Sequence, residues 1–139
     1  MRVKSEEILL QTTSRTDVID ITLNVQQVVA GSGISNGIAA LFIPGSTAGL
    51  TTIEYETGVI NDLRKAVERI APRDIYYEHN ERWEDGNGFA HVSAAMLGPS
   101  LHIPLIDGKL SLGVWQQIVL IDFDNRPRQR QVIIQLLGE

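Results

Sequence analysis

The sequence predicts an α+β domain in which antiparallel strands dominate and two or three helices stand apart from them. Residues 101–137 read as consecutive β-prone runs, residues 58–70 read as one amphipathic helix, and the two kinds of segment come in runs rather than in strict alternation. No linker, low-complexity tract or internal repeat interrupts residues 1–139, so one domain is expected, long enough to bury a core.

Each element has its own signal. Ile8 to Thr12 is a short β-prone run. Val18 to Ile21 leads into Thr22, whose hydroxyl is placed to cap a short helix ending near Gly31. Ile38 to Ile43 is an apolar run of strand length, stopped by Pro44-Gly45. In the helix from about Gly58 to Ile70, Val59, Ile60, Leu63, Val67 and Ile70 recur at helical spacing. Asp62, Arg64, Lys65, Glu68 and Arg69 fill most of its other face, and Pro72 closes it. That pattern describes a packing helix and assigns it no chemistry.

Further on, Leu101, Ile103 and Leu105 alternate with His102, Pro104 and Ile106, and Asp107-Gly108 is a tight hairpin signal. His102, among apolar neighbours, reads as structural. Val114–Phe123 and Gln131–Leu137 follow as long strands. Val132 to Ile134 is apolar at every position, which predicts a strand buried on both faces, by a second layer or by a neighbouring subunit.

Composition narrows the function. Twelve Lys and Arg against seventeen Asp and Glu give a formal charge of −5, the wrong sign for a general DNA or RNA binder. No cysteine is present, which excludes disulfides, thiolate metal sites and thiol nucleophiles. Met1 to Thr13 is charged and mixed, unlike a signal peptide, and no apolar run approaches the ~20 residues that span a bilayer. A cytoplasmic protein without membrane or nucleic-acid partners is the expectation.

Polar chemistry concentrates between Tyr77 and Gly98. His79, Asp85, Asn87, His91 and Ser93 lie there among turn-forming glycines, with Gly86-Asn87-Gly88 as a loop whose amides face outward and His91 at the opening of a short helix through Leu97. Two readings stand side by side. Each histidine could be tied up in its own backbone, one capping a loop and one a helix start, or both could line a pocket for a metal or a phosphate. Their spacing is not that of a helical zinc pair. Elsewhere, Gly45-Ser46-Thr47 reads as a plain turn or an anion cradle. Arg126, Arg128 and Arg130 read as a solvated strand start paired with Asp122 and Asp124. Trp115 reads as packing in the core or between subunits, beside the amides of Gln116 and Gln117. No Ser-His-Asp spacing, P-loop or dinucleotide fingerprint appears.

Taken in order, Pro44-Gly45-Ser46-Thr47-Ala48-Gly49-Leu50-Thr51 with Glu54, Tyr77-Glu78-His79, Asp85-Gly86-Asn87 with Ala90-His91, and Leu97-Gly98-Pro99-Ser100 form an ordered set. Pro104, Asp107-Gly108, Leu112-Gly113, Trp115-Gln116 and Asp122-Phe123-Asp124 with Arg126 and Arg128 extend it to the end. In these residues the chain resembles the YjbQ-like family, also called secondary thiamine-phosphate synthases. The resemblance implies two packed, mainly antiparallel sheets and a homotrimer with pockets at subunit boundaries. It also implies weak thiamine-phosphate synthase activity, which joins a pyrimidine methyl diphosphate to a thiazole phosphate and expels pyrophosphate.

By that resemblance His79, Asp85 and His91 supply catalytic, diphosphate or divalent-metal contacts (zinc or magnesium), with Glu54 adding a carboxylate. Asn87 and Ser93 orient them, Trp115 and Gln116 wall the pocket, and Ser46, Thr47 and Arg126 complete the contacts to a small phosphorylated substrate or anion. Two positions depart from the pattern. Gly45 stands where many members carry a histidine, and Ser93 where a lysine is frequent. Without that imidazole, a metal site would be weaker or richer in oxygen donors.

Overall fold

The computed structural model describes residues 1–139. Strands β1 (Arg2–Gln11) and β2 (Asp17–Asp20) precede helix α1 (Thr22–Ser32), then β3 (Gly37–Phe42) and β4 (Ala48–Ile53). Helices α2 (Thr57–Ile70), α3 (Glu78–Trp83) and α4 (Gly88–Leu97) follow in a block. The chain ends with β5 (Ser100–Ile106), β6 (Lys109–Leu110), β7 (Gln117–Asp122) and β8 (Gln129–Gly138).

The strands form a five-stranded sheet, β1-β8-β3-β5-β6, and a three-stranded sheet, β2-β7-β4; every pairing is antiparallel. Three layers result. The inner face of the large sheet packs Leu41, Ile103, Ile134 and Leu136 against Leu50, Ile118 and Leu120 of the small one, with α1 closing the sandwich through Val25 and Val29. The other face of the small sheet buries Val18, Val119 and Ile121 against Ile60 of α2 and Phe89, Ala90 and Ala94 of α4.

This layering corrects one expectation, that a second layer within the chain buries both faces of the Val132–Ile134 strand. The strand buried on both faces is β7, where residues 118–122 are all buried. In β8, Val132, Ile134 and Leu136 point inward and fully exclude solvent, while Ile133 faces out beside Glu7 and Phe42 and is half-buried. Alternation, not a continuous buried run, is the rule for β8.

Four helices form where two or three were expected, because the segment after Pro72 folds into both α3 and α4. Helix α4 starts at Gly88, ahead of His91. Strand β4 escaped notice because Gly49, Thr51 and Thr52 break the apolar signal. Gly49 has its own reason: a Cβ there would meet the Gly98 carbonyl oxygen at 2.7 Å and Leu97 at 2.8 Å, so only glycine seats the end of α4 on the sheet.

Thr22 does not cap α1, since its hydroxyl accepts the Ile118 N–H at 2.9 Å and donates to Asp20 at 2.6 Å, tying the helix start to β7. Helix α2 is capped instead by Glu56, whose carboxylate accepts the Val59 N–H at 3.0 Å. The strand expected over Val114–Phe123 begins only at Gln117. No helix is long and apolar enough to cross a membrane.

Candidate functional site

The site is built on two carboxylates at the end of β7. Asp122 and Asp124 are 2% and 1% exposed, a setting an unpaired charge does not tolerate. Arg130 projects inward from β8 and grips Asp122 through Nε at 2.8 Å and Nη2 at 2.9 Å. Thr12 donates to the same carboxylate at 2.7 Å. Arg128 holds Asp124 through Nε and Nη2, both at 2.9 Å. Thr47 joins the two pairs: it donates to Asp124 at 3.0 Å and accepts from Arg130 Nη2 at 2.6 Å. Burial on its own would raise the Asp124 pKa, but donors from Asn87, the Asn125 N–H, Thr47 and Arg128 outweigh it and hold the carboxyl below the usual range.

Asn87 carries this network to the imidazoles. Its Nδ2 donates to Asp124 at 3.2 Å from the start of α4. The Gly88 N–H donates to Asn80 Oδ1 at 2.9 Å, drawing α3 against α4, where a Cβ on Gly88 would collide with Tyr77 at 2.6 Å. The loop amide expected to face outward at Gly88 is therefore consumed inside the protein.

With α3 and α4 so joined, the rings of His79 and His91 lie 4.3 Å apart between centroids, tilted by 41°. His79 Nδ1 is 3.7 Å from Asp85 Oδ1, beyond hydrogen-bond reach, and is buried without a partner; so is Asn87 Oδ1. Burial, then the charge of His79, lowers the His91 pKa, against a smaller opposite pull from Asp124 and Asp85. Both rings open onto a cleft of about 400 Å³. Ser46, Thr47, Asp85 and Asn87 line it, as do Gly45, Trp83, Arg128 and Arg130. The Nη1 atoms of Arg128 and Arg130 carry no hydrogen bond within the protein.

The cleft thus gathers His79, Asp85, Asn87, His91, Ser46 and Thr47. Glu54, Trp115 and Gln116 lie elsewhere. Ala48 pairs with Asp122 and Ile53 with Gln117, so these three residues sit at the opposite end of the small sheet, roughly 17 Å of strand away. Gln116 there donates to Thr52 at 3.0 Å, and Trp115 is 73% exposed rather than packed in this chain's core. Ser93 faces away, buried and donating to the Phe89 carbonyl at 2.8 Å. Arg126 is exposed and makes no ion pair. His102 is exposed on the outer face of β5.

Trp83 carries no signal in the sequence, and Arg128 and Arg130 read there as a solvated strand start rather than as part of a site. A usable signal existed for Arg130, which continues the inward series Val132, Ile134 and Leu136. The pairing of these arginines with Asp122 and Asp124 is present, but it is buried rather than solvated.

A divalent metal can be tested against the same residues. No three His, Asp or Glu side chains converge on one point. At Gly45, where a third imidazole would stand, a Cβ would lie 3.2 Å from Arg130 Nη1, so the vacant side is guarded by a cation. The residues do not fit a metal held by the protein alone.

The family model described as UPF0047 protein YjbQ-like matches residues 6–139. The chain belongs to the YjbQ/UPF0047 family. A UPF0047 protein of Methanothermobacter thermautotrophicus is 36% identical over 139 residues, covering 100% of this chain and 95% of the relative. The UPF0047 protein YugU of Bacillus subtilis is 34% identical over 131 residues, covering 93% and 96%. A YbjQ-like protein of unknown function from Sulfolobus solfataricus superposes with a TM-score of 0.95 at 33% identity, covering 99% of each chain. The two-sheet α+β architecture is therefore the family's fold.

The buried pairing leads to a measurable cost. Asp122→Asn keeps the shape but leaves the Arg130 guanidinium buried beside a neutral amide, and we expect a loss of about 3–5 kcal/mol in chemical denaturation. A loss below about 1 kcal/mol would mean the pair behaves like a surface ion pair.

Proposed function

We propose that the cleft binds the phosphoryl or diphosphoryl end of a small metabolite, with His79 and His91 as its proton-accepting pair. The observation that carries this reading is the pair of touching imidazoles facing two guanidiniums whose free Nη1 atoms are fixed by buried aspartates. Rigid guanidiniums suit phosphate oxygens, and their geometry is set before a ligand arrives.

Charge then dictates the behaviour. With both imidazoles neutral, two guanidiniums face three carboxylates, those of Asp85, Asp122 and Asp124. Proton uptake by an imidazole strengthens the hold on an anion. In the free protein burial and the charge of His79 lower the His91 pKa, so this ring favours its neutral form and takes up a proton more readily once an anion lies beside it.

Turnover is a second reading, favoured by Trp83, 63% exposed on the cleft rim, which offers a flat face for a heteroaromatic ring. In thiamine-phosphate synthase-like transfer, the thiazole nitrogen bonds to the pyrimidine methyl carbon as its C–O bond to diphosphate breaks. Arg128 and Arg130 would hold the departing pyrophosphate and an imidazolium would neutralise it.

Calorimetry with inorganic pyrophosphate tests both readings. Binding weakens as pH rises from about 6 to 8, up to roughly ten-fold per pH unit for each proton taken up. His79→Ala/His91→Ala abolishes it. Affinity that ignores pH, or survives loss of both rings, contradicts the binding reading. Saturable binding without pyrophosphate release from the two synthase substrates removes turnover alone.

Assembly as a trimer belongs to the same proposal. The outer face of the five-stranded sheet has no helix over it and leaves Val3, Leu9, Ile38, Phe42 and Ile106 each 46–62% exposed. Other copies of this chain would cover such a face. Light scattering is expected to give three times the 15.4 kDa chain mass, and a stable monomer would refute the assembly.

A further inference from the structure

A second hollow, of about 500 Å³, opens on the opposite side of α4 from the imidazoles. Its rim gathers Arg15, Arg64, Lys65, Arg69 and Arg73, five of the chain's twelve cations in a protein of net charge −5. None of the five is ion-paired. Glu68 is the one carboxylate lining the hollow, and one of its oxygens accepts the backbone N–H of Arg73 at 3.5 Å. Unpaired like charges around one depression raise each other's energy and create a positive potential that an anion relieves.

The floor is of a different kind. Phe89 and Phe123 line it, with the Arg73 guanidinium 4.5 Å over the Phe89 ring. Beside it lies a smaller hollow of about 190 Å³ with Val67, Met96 and Leu97 in its wall, sharing Phe123. Both phenylalanines are buried, and the open apolar surface is the wall of the smaller hollow, where Ile70 and Met96 are 59% and 62% exposed. Cations on one side and this wall on the other suit a ligand with a charged end and a flat or apolar end.

The rim is also held in place. Arg64 Nε donates to the Thr16 carbonyl at 3.0 Å and Arg73 Nη2 to the Thr16 hydroxyl at 3.2 Å. These two bonds pin the β1–β2 turn, where Thr16 adopts φ 54°, a left-handed backbone that β-branched residues seldom accept. Strain of this kind persists where the surroundings enforce it, and ligand clamps are among those places.

We propose that this hollow is a separate binding site for an organic polyphosphate carrying a flat group, such as a nucleoside diphosphate. Its phosphates meet the five cations and its ring lies against Ile70 and Met96, the exposed apolar wall of the adjoining hollow. The site is independent of the imidazole cleft.

Calorimetry on the full chain with ADP and with inorganic pyrophosphate tests it, using His79→Ala/His91→Ala to silence the first cleft. ADP should still bind that variant saturably, and more tightly than pyrophosphate does. Lys65 and Arg69 are exposed and make no hydrogen bond in the protein, so adding Lys65→Glu/Arg69→Glu should leave the melting temperature in place. It should weaken ADP by roughly ten-fold or more. If that reversal disturbs folding, Lys65→Gln/Arg69→Gln replaces it, with a smaller loss expected. No saturable ADP binding, affinity unchanged by either charge variant, or loss of binding on removing the imidazoles alone would each overturn the proposal.

Discussion

Two aspartates that water cannot reach organise one end of this molecule. Asp122 ends the central strand of the small sheet and Asp124 lies just past it, and their charges are tolerable only because Arg130 of the large sheet and Arg128 just before it reach across to meet them. The same bonds that satisfy the carboxylates fix two guanidiniums at the mouth of a cleft, and Thr47 and Asn87 extend that order to the turn after β3 and to α4. Fold stability and site geometry are therefore one problem here. A change that loosens the ion network would loosen the imidazole pair as well.

Much of the architecture was legible because burial in a sheet writes a period of two. The inward series on β5 and β8 and the helical spacing of α2 show this directly. Legibility failed where a residue answers to a neighbour distant in sequence. Gly49 is small because α4 ends against it, and Thr22 bonds to Ile118 rather than to its own helix. β7 reads like β8 in sequence, yet only β7 has a layer on each side.

The candidate site divides the same way. His79, Asp85, Asn87 and His91 were readable as one polar segment, and Ser46 and Thr47, expected as contacts through the resemblance, lie in the same cleft. Arg128 and Arg130 were not, because a charged residue at a strand start looks solvated until its buried partner is seen. Glu54, Trp115 and Gln116 entered through resemblance, and the β4–β7 register carries them to the far end of the sheet. Helix α4 emerges as a divider, with imidazoles and fixed guanidiniums on one side and five unpaired cations beside an apolar wall on the other.

The central claim is that the imidazole pair gains a proton when an anion enters the cleft. NMR titration of the His91 ring, followed with and without saturating pyrophosphate, tests it most directly. The free ring should titrate below the ordinary histidine value of 6.5, as its burial and the neighbouring His79 require, and should move upward once the anion is bound. A ring that titrates at the ordinary value and ignores pyrophosphate would contradict the account.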